Sequence, residues 1–280
     1  MSIKSRTNYL HIAISILLAV LAILFVAPII IVFMNSFKSK LFISSEPFAF
    51  PTSETFTGYA NYVEGARKIN FFKAFGYSLF ITTFSVTAVV GTTSMLAWYI
   101  TRVKSLFTTF TYYLLVFSMI VPFQMVMFTM SKIANILHLD NPVGVIVLYV
   151  GFGAGLGSFM FSGFIKTIPL SLEEAALIDG ATPPQTFFLV VLPMLKPTAI
   201  TIAILNAMWI WNDYLLPYLT IGTEYKTIPV AIQYLRGGYG AVDMGAMMAM
   251  LVLAMLPIII FYLFTQRYII EGVVAGAVKG

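Results

Sequence analysis

The chain has 280 residues, of which 60% are hydrophobic and only 10% charged, with a formal net charge of +5 and no cysteine. Soluble domains carry about 25% charged residues, so the composition excludes an ordinary water-soluble fold. The missing thiols exclude a disulfide framework, a thiolate zinc site and a cysteine nucleophile, and His11 and His138 stand too far apart in the chain to suggest a metal site.

The apolar residues come in long blocks separated by short polar punctuation, whereas a soluble α/β core shows runs of about four to eight. The pattern predicts an all-α polytopic membrane protein forming a single transmembrane domain over residues 1–280. The basic residues lie singly or in pairs at block ends. That placement suits anchoring at lipid headgroups rather than binding to nucleic acid.

A helix needs about 20 apolar residues to cross the hydrocarbon core, and six blocks qualify: 10–34, 74–99, 107–130, 143–165, 198–218 and 244–266. The first follows Lys4 and Arg6 but runs uncharged from Ile12 to Phe37. A signal-peptide core spans about 7–15 residues and ends at a small-residue cleavage site, so this block reads as a retained span. Segment 35–73, with Pro47 and Pro51, reads as a small external cap carrying a short helix near Asn61–Lys68. Pro122 and Gln124 interrupt the third block. A second external loop, 219–243, holds Gly237-Gly238-Tyr239-Gly240, and a short tail ends Ala275-Gly276-Ala277-Val278-Lys279-Gly280. No internal repeat of the kind found in many secondary transporters is visible.

Six spans put both termini on one side. Lys4, Arg6, Arg102, Lys104, Lys166, Lys196, Arg267 and Lys279 fall on that side, and Lys38, Lys40, Arg67, Lys68, Lys73, Lys132, Lys226 and Arg236 on the other, eight against eight. Five of the second set sit in the long 35–73 loop, where charges orient a chain less strongly. The remainder leans toward both termini inside.

Between the fourth and fifth blocks, residues 169–193 form a polar island. Ser171 followed by Glu174 has the spacing of a capping box, and Gly180 suits a left-handed helix stop. Thr182-Pro183-Pro184-Gln185 then repeats a start signal. The loop therefore reads as two short helices outside the membrane. Glu174 is open to two readings, a self-cap or a docking group. Glu173 and Asp179 add charge that capping does not need, and Ala175 and Ala176 keep one surface small enough for another protein to approach.

Glu174-Ala175-Ala176, three residues, Gly180, nine residues and Val190-x-Leu192-Pro193 resemble the EAA loop of bacterial ABC importer permeases, with Val190 where that family usually has Ile. Trp211-Asn212-Asp213, the Gly-Ala-Val-Lys-Gly tail and the long first external loop resemble the smaller six-span permease of maltose-type carbohydrate transporters. The resemblance implies an ABC type I importer fold in a bacterial cytoplasmic membrane, with both termini cytoplasmic. It implies a coupling helix at about Leu172–Asp179, with Glu174 pairing a basic residue of an ATPase and Gly180 permitting the bend. The implied partners are a second homologous permease, two ATP-binding-cassette ATPases that hold ATP and Mg, an extracytoplasmic solute-binding protein, and membrane lipid. No cofactor is expected on this chain, and the tail is compatible with a reach between the ATPases.

Polar residues inside a span tend to face the bundle interior or a water-filled path. Asn206, Trp209 and Asp213 recur on one helical face, an aromatic plate beside hydrogen-bonding groups that suits a sugar; a packing stripe with Asp213 bonded near the outer end is the alternative. Gln124 and Tyr149 are further pathway candidates. Gly151, Gly153, Gly155 and Gly157 alternate at i+2, which either admits neighbouring helices closely or lets the helix unwind around a ligand. No P-loop, HExxH, G-x-S-x-G or row of intramembrane carboxylates occurs, so energy must come from a partner. A stand-alone secondary transporter or channel would have only Asp213 as an intramembrane relay, and an intramembrane enzyme would lack a nucleophile–base set.

Overall fold

In the computed structural model, the backbone is described for residues 3–222, 224–235 and 242–277, and side chains from residue 11 to residue 268 within those stretches. Among the described residues the regular elements are helices joined by turns and loops, with an antiparallel bridge between Lys38 and Phe56. Contacts divide the chain into two units, Met1–Phe71 with Ile232–Leu256, and Phe72–Ala231 with Pro257–Gly280.

The first unit begins with α1 (Ile3–Asn35). Its apolar side chains point outward, Phe25 being 79% and Ile23 68% exposed, a surface tolerable only where hydrocarbon or another chain replaces water. Where the span ends, polar side chains tie down the cap. Asn35 donates to the Pro47 carbonyl (2.8 Å), the buried Lys38 ammonium to the Glu46 backbone carbonyl (2.8 Å), and Asn61 to the Ser36 and Lys38 carbonyls (2.8 Å each). The short helices α2 (Lys40–Ser45) and α3 (Ala60–Lys68) make up the cap, α3 falling where the sequence predicts it. In this unit Lys68 bridges Glu64 (2.7 Å) and Asp243. Asp243 also accepts from the Ala246 amide at 3.1 Å. The loop glycines 237–240 lie outside the described residues.

The second unit contains α4 (Phe71–Arg102), α5 (Leu106–Ser118), α6 (Phe123–Ile136), α7 (Pro142–Ile165), α8 (Leu170–Ile178), α9 (Pro183–Met194), α10 (Lys196–Asn212), α11 (Leu215–Thr220) and α12 (Ile228–Gln233). The last helix, α13 (Met244–Ala277), carries Pro257 in its interior; the tail beyond Ala277 lies outside the described residues. Among the described residues, four helices are long and apolar enough to span a membrane, and two bent pairs bring the count up to six if each is one span. One core cluster joins Val89 and Ala97 of α4, Phe161 and Ile165 of α7, Phe187 and Val191 of α9 and Ile202 of α10. A second joins Ile81, Val145, Tyr149, Ile210, Leu216 and Ile221.

Two expected spans differ from the sequence reading. Block 107–130 is two helices, α5 and α6, meeting at 109°. Pro122 has no N–H to continue the ladder and pushes Val121 out of the helical region, so the chain restarts at Phe123. Block 198–218 stops at Asn212, because the Asp213 carboxylate turns to accept the Leu215 and Leu216 amides (2.9 and 3.4 Å) and opens α11.

The alternating glycines stay wound within α7 and do not unwind. A Cβ at Gly153 would lie 2.9 Å from Val89, one at Gly157 2.5 Å from Thr93, and one at Gly155 2.7 Å from the Leu115 carbonyl. Gly153 and Gly157 therefore admit α4, while Gly155 admits α5. Hydrophobic drive between helices is weak in lipid, and close backbone approach is a main source of association.

Two predictions follow from these contacts. Gly155→Ala would lower stability by about 1–3 kcal/mol by overpacking against an immovable carbonyl, whereas Gly151→Ala, where a Cβ would meet nothing within 4 Å, would leave thermal unfolding in detergent unchanged. The second concerns pH. Burial alone would raise the Asp243 carboxyl, but hydrogen bonds from Lys68 and Ala246 hold it below its ordinary value, and bonds to Asp243 and then Glu64 raise the Lys68 ammonium. A lowered carboxylate contributes stability above its unfolded value of about 4 and loses it as pH falls further. The raised ammonium keeps its own contribution until strongly basic pH. The protection factors of the α3 amides, after correction for intrinsic exchange, should fall on acidification in the parent protein, and Asp243→Asn should flatten that dependence.

Candidate functional site

The candidate site is α8 and the turns on either side. Pro169 opens the helix from an extended conformation, with φ −59° and ψ 130°. Ser171 therefore lies inside the first turn and caps nothing, which corrects the expected Ser171–Glu174 capping box. A proline just before a helix already supplies the required dihedral and has no N–H to satisfy.

What holds α8 is its other carboxylate. Glu173 is only 5% exposed. Its Oε1 accepts from Arg102 Nε at 2.8 Å and lies 2.7 Å from Arg102 Nη2, and its Oε2 accepts from Trp98 Nε1 at 2.9 Å. Arg102 Nη2 also donates to the Ile168 carbonyl at 3.0 Å, gripping the chain just before α8. Trp98 and Arg102 stand one turn apart at the end of α4, so both project to the same side. The Trp98 ring lies 5.4 Å from that of Phe187 in α9. One contact set thus joins α4, α8 and α9.

With Glu173 turned inward, Glu174 and Ala175 are exposed, Ala176 is half-buried, and Leu177 and Ile178 stand 50% and 86% exposed. The helix ends in the expected left-handed stop. Gly180 has φ +87°, the Ala181 amide donates to Ala176 O at 2.9 Å, and the Gly180 amide donates to Leu177 O at 3.1 Å. These two bonds make a Schellman motif. A Cβ at Gly180 would meet nothing within 4 Å, so handedness alone calls for glycine there. Exposed Asp179 sits at the helix C-terminus, where the dipole disfavours an anion. Its charge is not there for the helix.

The second start signal forms as expected, with the Thr182 amide donating to Gln185 Oε1 at 2.8 Å. Leu192 and Pro193 then build an elbow, with Leu192 half-buried and Pro193 exposed. A π-turn spans Phe187–Val191, and α9 meets α10 at 75°. Pro193 cannot donate to Leu189, and its ring would crowd that carbonyl in a regular α-turn, so the widened turn relieves both. Leu192 packs partly buried against the core beside Val191 and Phe187.

The pathway candidates separate into two groups. Tyr149, Trp209 and Asp213 come together: the Tyr149 hydroxyl donates to Asp213 Oδ2 at 3.0 Å, and the Trp209 ring stands edge-on to Tyr149 at 5.5 Å and 87°. Tyr149 is buried and Trp209 41% exposed. Asn206 is buried one turn away, its amide donating to Ile202 O of its own helix at 2.9 Å. Gln124 is exposed in the first turn of α6 and stands apart from this cluster among the described residues.

The family model for the inner-membrane component of binding-protein-dependent transport systems matches residues 90–274, a stretch that holds the Trp98–Arg102–Glu173 contact, α8, the elbow and the Tyr149–Asp213 cluster. The chain belongs to that family. Its fellow members include the probable starch degradation products permease AmyC of Thermoanaerobacterium thermosulfurigenes, 39% identical over 93% of this chain and 94% of that protein. Another is the multiple sugar-binding transport system permease MsmG of Streptococcus mutans, 35% identical over 94% and 95%. Among solved structures, a bacterial ABC transporter for import of the acidic polysaccharide alginate matches with a TM-score of 0.77, covering 96% of this chain and 98% of that one at 23% identity. This is the fold of an ABC importer permease, a multi-pass membrane protein of a transport family rather than an enzyme family.

Sequence reasoning found this permease's loop but not its anchor. Trp98 and Arg102 were the available signal, an indole and a guanidinium at i and i+4 on the end of an apolar helix. Glu173→Ala should lower the thermal stability of the detergent-solubilised protein by about 1–3 kcal/mol, because the partly buried Arg102 guanidinium and the Trp98 indole lose their acceptor. Glu174→Ala should leave it unchanged. Equal effects at the two positions would contradict the burial assigned to Glu173.

Proposed function

We propose that this chain is one permease subunit of an ATP-binding-cassette importer for a sugar or oligosaccharide, and that α8 docks on a cytoplasmic ATPase subunit. The observation that carries the reading is the split between neighbouring carboxylates. Glu173 is consumed inside the protein, and Glu174, with Ala175 and Ile178, is left on the surface. A helix held from behind and presenting an acid, a small residue and an exposed aliphatic suits a cleft that supplies a cation and an apolar floor.

In this reading Glu174 pairs with a basic residue of the ATPase, Ala175 and Ala176 let the partner backbone come close, and Asp179 adds a second anion. Gly180, Leu192 and Pro193 set the angles at which α8 and α9 leave the membrane. ATP and Mg are held by the two ATPases, whose closure draws the paired coupling helices together and turns the bundle from inward- to outward-facing. Both termini and α8 are cytoplasmic. A second, homologous permease completes the pathway, and an extracytoplasmic binding protein delivers the solute. Supporting the cargo class are relatives named for starch degradation products and multiple sugars. A bacterial alginate transporter solved with an alginate pentasaccharide-bound periplasmic protein, TM-score 0.65, illustrates how a protein of this fold meets its delivery partner. Along the pathway, half-exposed Trp209 offers the sugar an aromatic surface, with Tyr149 and Asp213 fixing its position from behind, Asn206 packing the same face and Gln124 adding a polar group from α6.

Glu174→Ala, and more strongly Glu174→Lys, should weaken co-purification of the ATPase and abolish uptake while membrane insertion is retained. Gly180→Val should do the same by forcing a β-branched residue into the left-handed region. If ATPase pull-down and solute uptake both survive Glu174→Lys, α8 is not the docking helix.

A further inference from the structure

Between the end of α4 and the start of α8, the structure holds a buried ion pair, Glu173 with Arg102, side chains 6% and 19% exposed. It has more connections than a packing contact needs. Both Glu173 oxygens are engaged, by Arg102 Nε at 2.8 Å and by Trp98 Nε1 at 2.9 Å, while Arg102 reaches past the carboxylate to Ile168 O at 3.0 Å. Three donors from one turn of α4 therefore fix the direction of α8 as well as its distance. Among the described residues the helix makes no other side-chain hydrogen bond, and its remaining long apolar residues, Leu170, Leu172, Leu177 and Ile178, are 42–86% exposed. Without the carboxylate, α8 would be held to α4 by nothing polar.

We propose that Glu173, Arg102 and Trp98 act as a positioning strut that makes α8 and the adjoining end of α4 one rigid lever, so that displacement of α8 is delivered to α4. The inference rests on the reading of α8 as the ATPase-docking helix. It assigns the residues that carry motion onward, not those that meet the ATPase. Low local dielectric and two-point attachment make the link stiff. A single ammonium in place of Arg102 would keep the charge but lose the fork that also holds Ile168.

The test uses the complete transporter, with both permeases, the ATPases and the binding protein, in lipid nanodiscs. Glu173→Gln and Arg102→Lys should leave ATPase co-purification intact but reduce the stimulation of ATP hydrolysis by liganded binding protein, and uptake with it, by roughly 5- to 150-fold, the usual range of coupling between sites. The double exchange Glu173→Arg with Arg102→Glu should recover part of that loss. Spin labels at Leu170→Cys and Tyr99→Cys, in a chain that has no other cysteine, should report one α8–α4 distance with and without ATP. In Glu173→Gln that distance should broaden. Stimulation and uptake that persist in both single variants would overturn the proposal. So would a label distance that changes with ATP in the parent protein. If instead the single variants lose ATPase binding together with uptake and the exchange restores neither, the contact only shapes the docking surface. Failure of the docking reading shows separately, as ATPase retention in Glu174→Lys.

Discussion

Burying one carboxylate organises the loop that this protein presents to its surroundings. Taking Glu173 out of water costs several kcal/mol, and the cost is offset only because every oxygen finds a donor and the donors lie close by. The placement is favourable on both sides. Arg102 stands in the last turn of α4, where the helix dipole favours a cation, and Glu173 in the first turn of α8, where it favours an anion. The direction of α8, the exposure of Glu174 and the approach of α9 through Phe187 all follow from that pairing.

Inside the second unit a different constraint governs packing. Because lipid is as apolar as leucine, the helices gain little by hiding leucine from it. Close backbone approach takes over, and the glycines of α7 provide it on two faces at once, Gly153 and Gly157 toward α4 and Gly155 toward α5. A period of two along a helix advances 200° per step, which explains why alternate glycines serve opposite neighbours. Of the two readings open in sequence, close packing or unwinding, the contacts of Gly153, Gly155 and Gly157 are those of small-residue packing on two faces. Strain-free contact there lets the end of α4 be positioned well enough for Trp98 and Arg102 to meet Glu173.

The long apolar blocks were legible because hydrocarbon length imposes a simple minimum on each. Their breaks were less so. Pro122 was visible as an interruption, but a proline can kink a span or end it, and only packing decides. Asp213 ended α10 by capturing amides two and three residues ahead, a choice that competes with helix continuation at similar energy. In the loop, Gly180 and Thr182-Gln185 were read correctly because their chemistry is local. The capping box at Ser171 failed because Pro169 had already begun the helix. Glu173 and Glu174 were indistinguishable in sequence. Adjacent helical residues point about 100° apart, and which one faces inward depends on an arginine 71 positions earlier.

The loop that resembles the EAA motif therefore mixes duties of unlike physical kind. Gly180 supplies a backbone handedness that no side chain contact requires. Pro193 removes a hydrogen-bond donor and so sets a wide turn, and Leu192 fills space behind it. None of the three needs to touch a partner to be indispensable. Glu174, Ala175 and Asp179 are different: they are exposed, their side chains make no internal hydrogen bond among the described residues, and Asp179 stands against the helix dipole. Residues that cost the fold something and return nothing to it are the ones whose reason lies outside the chain. On that criterion the docking surface proposed for α8 is narrower than the loop: one acidic edge and a small-residue face, with Gly180, Leu192 and Pro193 as the bracket that aims it.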